Sequence, residues 1–148
     1  CVITPMGKNN KQSLNKLKKL WNTLGSKVQI MEAKNHDKIL AITSHLPHLV
    51  SYAIVSSSLN ANKKEKSQII KFSAGGFRDF TRIAASDPTM WRDIFLNNKT
   101  NLLKIVIEFE KSLNLIKKYI KKNKPEKLQK VFVKTQKIRK LIEKEKQE

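Results

Sequence analysis

Residues 87–122 read DPTMWRDIFLNNKTNLLKIVIEFEKSLNLIKKYIKK, and this stretch decides the fold class. Trp91, Ile94, Phe95, Leu102, Ile105, Val106, Phe109, Leu113, Ile116 and Ile120 recur at helical spacing, as the apolar stripe of an amphipathic helix does. Asp87 is a good N-cap, and Pro88 falls where a missing N–H costs nothing. The pattern predicts one helix of roughly 30 residues or more, about 45 Å long at 1.5 Å per residue. Such a helix in a chain of 148 residues packs against more than its own chain, so a helical domain that dimerises is expected.

Working outward, helical periods also mark 35–45, 47–60, 63–73 and 125–146. Pro47, the polar stretch Asn60–Lys63, Gly75-Gly76 and Asn123–Pro125 divide them. Residues 1–31 follow another pattern. Val2-Ile3-Thr4 reads as a short buried strand. Leu14, Leu17, Leu20, Trp21 and Leu24 form one helical stripe stopped by Gly25, and Lys27–Met31 alternates as a half-covered strand does. Two strands and a helix do not make a stable sheet alone. The expectation is therefore a mainly α protein: residues 1–31 as the trailing edge of an α/β domain, and residues 32–148 as an all-helical dimerisation domain. The start at Cys1, without an initiator Met, suggests a fragment or processed product.

The charge is extreme, with 31 Lys+Arg against 12 Asp+Glu and a formal net of +19. A field of this sign attracts polyanions, so a basic helical module for nucleic acid or other partners is the alternative reading. The charge is not uniform. Residues 1–31 and 114–148 carry most of the excess as lysine, while Arg78, Arg82 and Arg92 cluster in the nearly balanced middle. Arginine's planar fork suits carboxylate recognition in a way that lysine's hydrated point charge does not. Aromatic residues make up only 7% and do not interleave with the lysine runs, which weakens a stacking platform for single strands, and no specific nucleic acid is expected.

A single cysteine excludes an intramolecular disulfide or a thiolate metal cluster and fits a reducing, cytoplasmic compartment. The longest apolar stretch, Ile39–Val55, is interrupted by His45, Pro47 and His48, so no membrane span is expected.

Two constellations could carry chemistry. In His36-Asp37 and Ser44-His45-Leu46-Pro47-His48, three histidines invite a metal reading, but the spacing is not that of a zincin and Pro47 breaks the helix between the last two. Histidines acting as caps and partly buried donors are one alternative. A neutral imidazole aimed into a cavity at a proline kink is another. In Ser73-Ala74-Gly75-Gly76-Phe77-Arg78-Asp79-Phe80-Thr81-Arg82, the glycines let the backbone approach a ligand, and Arg78 and Arg82, spaced i,i+4, would share one helix face as a carboxylate clamp. Gly75-Gly76 could equally be a simple turn, Arg82 a salt-bridge partner of Asp79 or Asp87, and Trp91 a core anchor. No nucleophile with a matched base stands out.

On His36-Asp37, Ser44–His48, Gly75–Ala84, Ser86-Asp87-Pro88 and Met90–Ile94, the sequence resembles the prephenate/arogenate dehydrogenase family over nearly its whole length. The resemblance implies an N-terminal nucleotide-binding domain, of which residues 1–31 are the last strand–helix–strand, and a C-terminal helical dimerisation domain. It implies hydride transfer from prephenate or arogenate to NAD or NADP with loss of CO₂, in a homodimer. Arg82 would hold a substrate carboxylate, with His48, Gly75, Arg78, Ser44 and Trp91 around the substrate. Asp37 would join an ionic network with Arg82, and His45 and His36 would support the site. Family members often carry Lys at the position of Arg78. The catalytic histidine and the cofactor loop of the family lie in the N-terminal domain, so the resemblance implies no catalytic, cofactor-binding or metal residue in this chain, which is expected to be inactive alone.

Overall fold

The computed structural model describes residues 1–7, 10–58 and 62–145, and the fold is mainly α. The elements are β1 (Val2–Ile3), α1 (Lys11–Thr23), β2 (Gln29–Ile30), α2 (Ala33–Leu40), a π-helical turn (Ala41–His45), α3 (Leu46–Ser58), α4 (Lys63–Lys71), α5 (Gly75–Ala84), α6 (Pro88–Asn97), α7 (Lys99–Lys121) and α8 (Pro125–Glu145). Leu59 to Ala61, where the expected second helix ends and the polar divider begins, lie outside the described residues, as does Lys146 at the end of the expected last helix.

The chain forms two compact units, Cys1–Ile105 and Val106–Glu148. In the first, β1 and β2 pair in parallel with Val2 opposite Gln29 and Ile3 opposite Ile30, and α1 connects them. Asn10 caps α1 through Oδ1, which accepts from the Gln12 N–H at 2.8 Å. Gly25 ends it at φ 84°, with Ser26 N–H reaching Trp21 C=O at 3.0 Å and Gly25 N–H reaching Asn22 C=O at 3.0 Å. Only glycine takes that left-handed position without cost. The expected strand–helix–strand is present, but β1 is not buried: Val2 is 48% exposed. Leu17, Leu20 and Trp21 of α1 are also exposed and Leu14 is half-buried, so the described residues leave most of its apolar stripe uncovered.

Pro47 does not break the helix, contrary to expectation. Helical backbone runs continuously from Ala33 to Ser58, with Pro47 in the first turn of α3. Proline offers no N–H to the turn before it. The π-helical turn takes up one extra residue there, and Leu46 N–H bonds to Ala41 C=O, five residues back. The 26-residue run that results is, among the described residues, long and apolar enough by length and composition to cross a bilayer, although His45, Pro47 and His48 interrupt its apolar sequence. A soluble core helix passes the same test, and this run packs α3 against α5 and buries Ser51 and His45.

A capping box opens α4: Glu65 N–H donates to Asn62 Oδ1 at 2.9 Å, and Asn62 N–H to Glu65 Oε2 at 3.0 Å. Gly75-Gly76 is no turn between helices but the first two residues of α5. Asp87 and Pro88 start α6 as expected, with Met90 N–H donating to Asp87 Oδ1 at 2.7 Å.

The long helix expected over 87–122 is two helices. It breaks at Asn98, whose φ of −107° and ψ of 27° leave the helical region before α7 starts at Lys99. Ala41, Trp91 and Leu102 form the small buried apolar centre of this unit, at 1%, 6% and 4% exposure. Tyr52 on α3 ties in the α5–α6 connection, donating its hydroxyl to Ser86 C=O at 3.0 Å.

The second unit holds the rest of α7, a tight turn and α8. Asn123 ends α7 with φ 46°, while Lys124 N–H bonds to Tyr119 C=O and Asn123 N–H to Ile120 C=O, both at 3.0 Å. The divider at Asn123–Pro125 is thus as expected. Leu113, Leu115 and Ile120 on α7 and Phe132, Ile138, Leu141 and Ile142 on α8 remain exposed.

Candidate functional site

A cleft of about 440 Å³ opens in the first unit between α2, the π-helical turn and α6. His36, Asp37 and Leu40 line it from α2, Ser44 and His45 from the π-helical turn, and Trp91 and Ile94 from α6, with Asn97 and Asn98 at the break before α7. The π-helical turn makes this arrangement possible, because it presents Ser44 and His45 side by side towards α6.

His45 is buried, at 8% exposure. Asn98 Nδ2 lies 3.2 Å from its Nδ1 and donates to Asp37 C=O at 2.7 Å, while Asn101 Nδ2 donates to Asn98 Oδ1 at 2.8 Å. Desolvation lowers the His45 pKa below its ordinary value. The charge of Asp37 opposes that shift, and His36 and His48 add to it. His45 is therefore held neutral at neutral pH.

His48 stands behind the cleft wall. Its Nδ1 donates to Ser44 C=O at 2.9 Å, the assignment a carbonyl acceptor requires, and its ring stacks on Trp91. Trp91 also meets His45 edge-on, with centroids 6.2 Å apart and planes at 79°, and packs against Phe95. The indole Nε1 is buried without a hydrogen-bond partner among the described residues. An unsatisfied buried donor costs about 1–3 kcal/mol.

The structure thus gathers Asp37, Ser44, His45 and Trp91, with His36 beside them and His48 stacked on Trp91. Gly75, Arg78 and Arg82 are elsewhere. They lie on α5, which packs against α3 but contributes no residue to the cleft among the described residues. Arg78 Nε donates to Ser73 C=O at 2.9 Å. Arg82 is 3.7 Å from Asp79, both side chains about three-quarters exposed. Asp37 pairs with His36 at 3.0 Å, so the network expected between Asp37 and Arg82 does not form within this chain. A Cβ built on Gly75 or Gly76 would meet nothing within 4 Å, so neither glycine is required there by a close backbone approach.

Sequence reasoning missed Asn98 and Asn101. The available signal was the run Asn97-Asn98-Lys99-Thr100-Asn101, weak helix formers in the middle of a stripe that otherwise keeps its period. Among the described residues no group of His, Cys, Asp and Glu is placed to hold a metal ion.

Fold and cleft define a mainly helical domain carrying a histidine-lined site, preceded by a strand–helix–strand edge. Residues 32–135 match the family described as prephenate dehydrogenase, dimerization domain, and the chain belongs to that family. It is 38% identical over 108 residues to a cyclohexadienyl dehydrogenase of Zymomonas mobilis, covering 73% of this chain and 37% of that protein. It is 38% identical over 102 residues to a prephenate dehydrogenase of Bacillus subtilis, covering 69% of this chain and 27% of that one. The crystal structure of prephenate dehydrogenase from Aquifex aeolicus in complex with hydroxyphenyl propionate and NAD⁺ superposes with a TM-score of 0.87 at 39% identity, over 95% of this chain and 49% of that one. Synechocystis arogenate dehydrogenase, at 23% identity and a TM-score of 0.82, shares the fold. The chain spans about half the length of the solved structure, and 37% and 27% of these two relatives.

Proposed function

We propose that this chain is the substrate-binding and dimerising part of a cytoplasmic prephenate or arogenate dehydrogenase, which oxidatively decarboxylates its substrate with NAD or NADP in tyrosine biosynthesis. The observation that carries this reading is the cleft itself, whose Ser44, His45 and Trp91 fall inside the family match and converge on one cavity. In the longer protein, residues 1–31 are the edge of the nucleotide-binding domain and residues 32–148 the helical domain. The cofactor supplies the hydride acceptor and is held by residues outside this chain. Within it, Ser44 and His45 offer polar contacts to the substrate and Trp91 and His48 wall the cavity against water; Arg82, with Arg78 and Gly75 near it on α5 and outside that cleft, binds a substrate carboxylate where the assembled protein completes the site. Asp37 and His36 brace the histidine side of the cleft.

Second copies of the chain cover the exposed apolar side chains of α7 and α8. These amount to far more unburied Leu, Ile and Phe than a monomer of this size ordinarily carries in one region.

Two measurements test this. The intact protein reduces NAD or NADP when given prephenate or arogenate, whereas this chain alone sediments as a dimer and turns over neither. Turnover by the isolated chain, or an intact protein inert towards both substrates, overturns the reading.

A further inference from the structure

Asn98 sits where the expected long helix breaks, and the break has a use. A continuous helix would commit this residue to a helix face. At the junction its carboxamide instead reaches three segments at once. Nδ2 donates to the backbone C=O of Asp37 at 2.7 Å and lies 3.2 Å from His45 Nδ1, while Oδ1 accepts from Asn101 Nδ2 at 2.8 Å. A backbone carbonyl only accepts, so the nitrogen of Asn98 must be the atom facing Asp37, and that nitrogen also faces His45. His45 Nδ1 is therefore an acceptor.

We propose that Asn98 is a positioning residue that locks His45 in the Nε2–H tautomer, so that the ring shows the cleft a hydrogen-bond donor and never an acceptor. His45 Nε2 has no hydrogen-bond partner among the described residues, yet it is not among their fully buried unpaired atoms, so it keeps accessible surface. His45 lines the cleft, which gives that N–H its outlet. The group that meets it must bring an acceptor oxygen, such as the carboxylate or keto oxygen of an acid. This last step rests on the cleft being the substrate site, whereas the tautomer lock does not.

Among the charged or titratable neighbours only Asp37 favours a protonated ring, and burial with His36 and His48 outweighs it. From α2, His36 engages Asp37 at 3.0 Å, so the one nearby carboxylate is already partnered; from α3, His48 is committed to Ser44 C=O; and α6 presents only the apolar face and edge of Trp91. Protonating His45 would set its new N–H against the Asn98 NH₂, leaving that N–H without an acceptor and the amide with only its bond to Asp37 C=O.

Long-range proton–nitrogen NMR correlation on the ¹⁵N-labelled 148-residue chain tests the lock, since the two ring nitrogens of each tautomer have distinct signatures. The wild type should show His45 with protonated Nε2 and bare Nδ1. Asn98→Asp keeps the size of the side chain but replaces the donor with a carboxylate. His45 should switch to Nδ1–H and its titration midpoint should rise by about one unit or more, tenfold in proton affinity, while His36 moves little. Asn98→Ala should leave the two tautomers mixed, which decides the matter if the carboxylate proves unfoldable by circular dichroism. An Nδ1–H tautomer in the wild type overturns the proposal outright, as does an unchanged tautomer and midpoint in either folded variant. Because no turnover is measured, these outcomes stand apart from those that test the dehydrogenase reading.

Discussion

The imidazole of His48 lies face to face on the indole of Trp91, ring centroids 3.5 Å apart and planes 18° from parallel. Stacking at this distance joins α3 to α6 directly behind the cleft, so the wall of the site and the packing of the unit are one structure. Trp91 is also among the few apolar side chains of the described chain that are nearly fully buried.

Trp91→Ala should therefore destabilise the chain by about 3–5 kcal/mol, as truncation of a buried aromatic does. Trp91→Phe keeps a ring and removes the unpaired Nε1–H, so it should cost less than half as much. Urea unfolding at fixed protein concentration measures both. Equal losses would mean that the indole N–H has a partner in solution.

His45 makes stability depend on pH in a definite direction. Its folded pKa lies below the unfolded value of 6.5, so the unfolded state binds the proton more readily. The contribution is fully present above pH 6.5 and is lost as the pH falls from there towards the folded pKa. Melting temperatures should drop between pH 7.5 and 5.5, and by less in His45→Gln. An identical drop in that variant would place the dependence on another group.

Arg82 separates stability from binding. Its pair with Asp79 is long and solvent-exposed, and exposed pairs contribute about 0–1 kcal/mol. Arg82→Ala should leave the melting temperature of this chain nearly unchanged. If the intact protein has the proposed activity, the same change should weaken substrate binding by about 2–5 kcal/mol, the usual loss when one partner of a desolvated charge pair is removed. An unchanged KM would remove Arg82 from the site.

Asn123 closes α7 in the left-handed region at φ 46°. Asparagine tolerates that conformation and alanine does not, so Asn123→Ala should cost about 1–2 kcal/mol and Asn123→Gly little or nothing. Thermal melts of the two variants check this, and a neutral alanine variant would show that the turn relaxes.

Much of this was legible in the sequence, for physical reasons that also explain the failures. Gly25 and Asn123–Pro125 mark helix ends because few residues accept positive φ, and Asp87-Pro88 marks a start because capping chemistry is local. The break at Asn98 escaped because Phe95 and Leu102 are seven residues apart, two helical turns, so the apolar phase is the same on both sides of it. Pro47 does not end the helix because a proline forbids a hydrogen bond but not a wider turn that does without it. The histidine cleft could be expected from the crowding of His36, His45 and His48. The separation of Arg78 and Arg82 from that cleft could not, because i,i+4 spacing puts two side chains on one helix face without saying what the face meets.

The wide turn at Ala41–His45 is also a shift of phase. Each residue of a regular helix advances the side-chain direction by about 100°, so one residue added within a turn rotates everything after it by that angle relative to everything before. Asp37 and His48 are therefore aimed by two different frames of the same continuous helix. Deleting a single residue between 41 and 45 would restore one frame and turn His48 away from the indole.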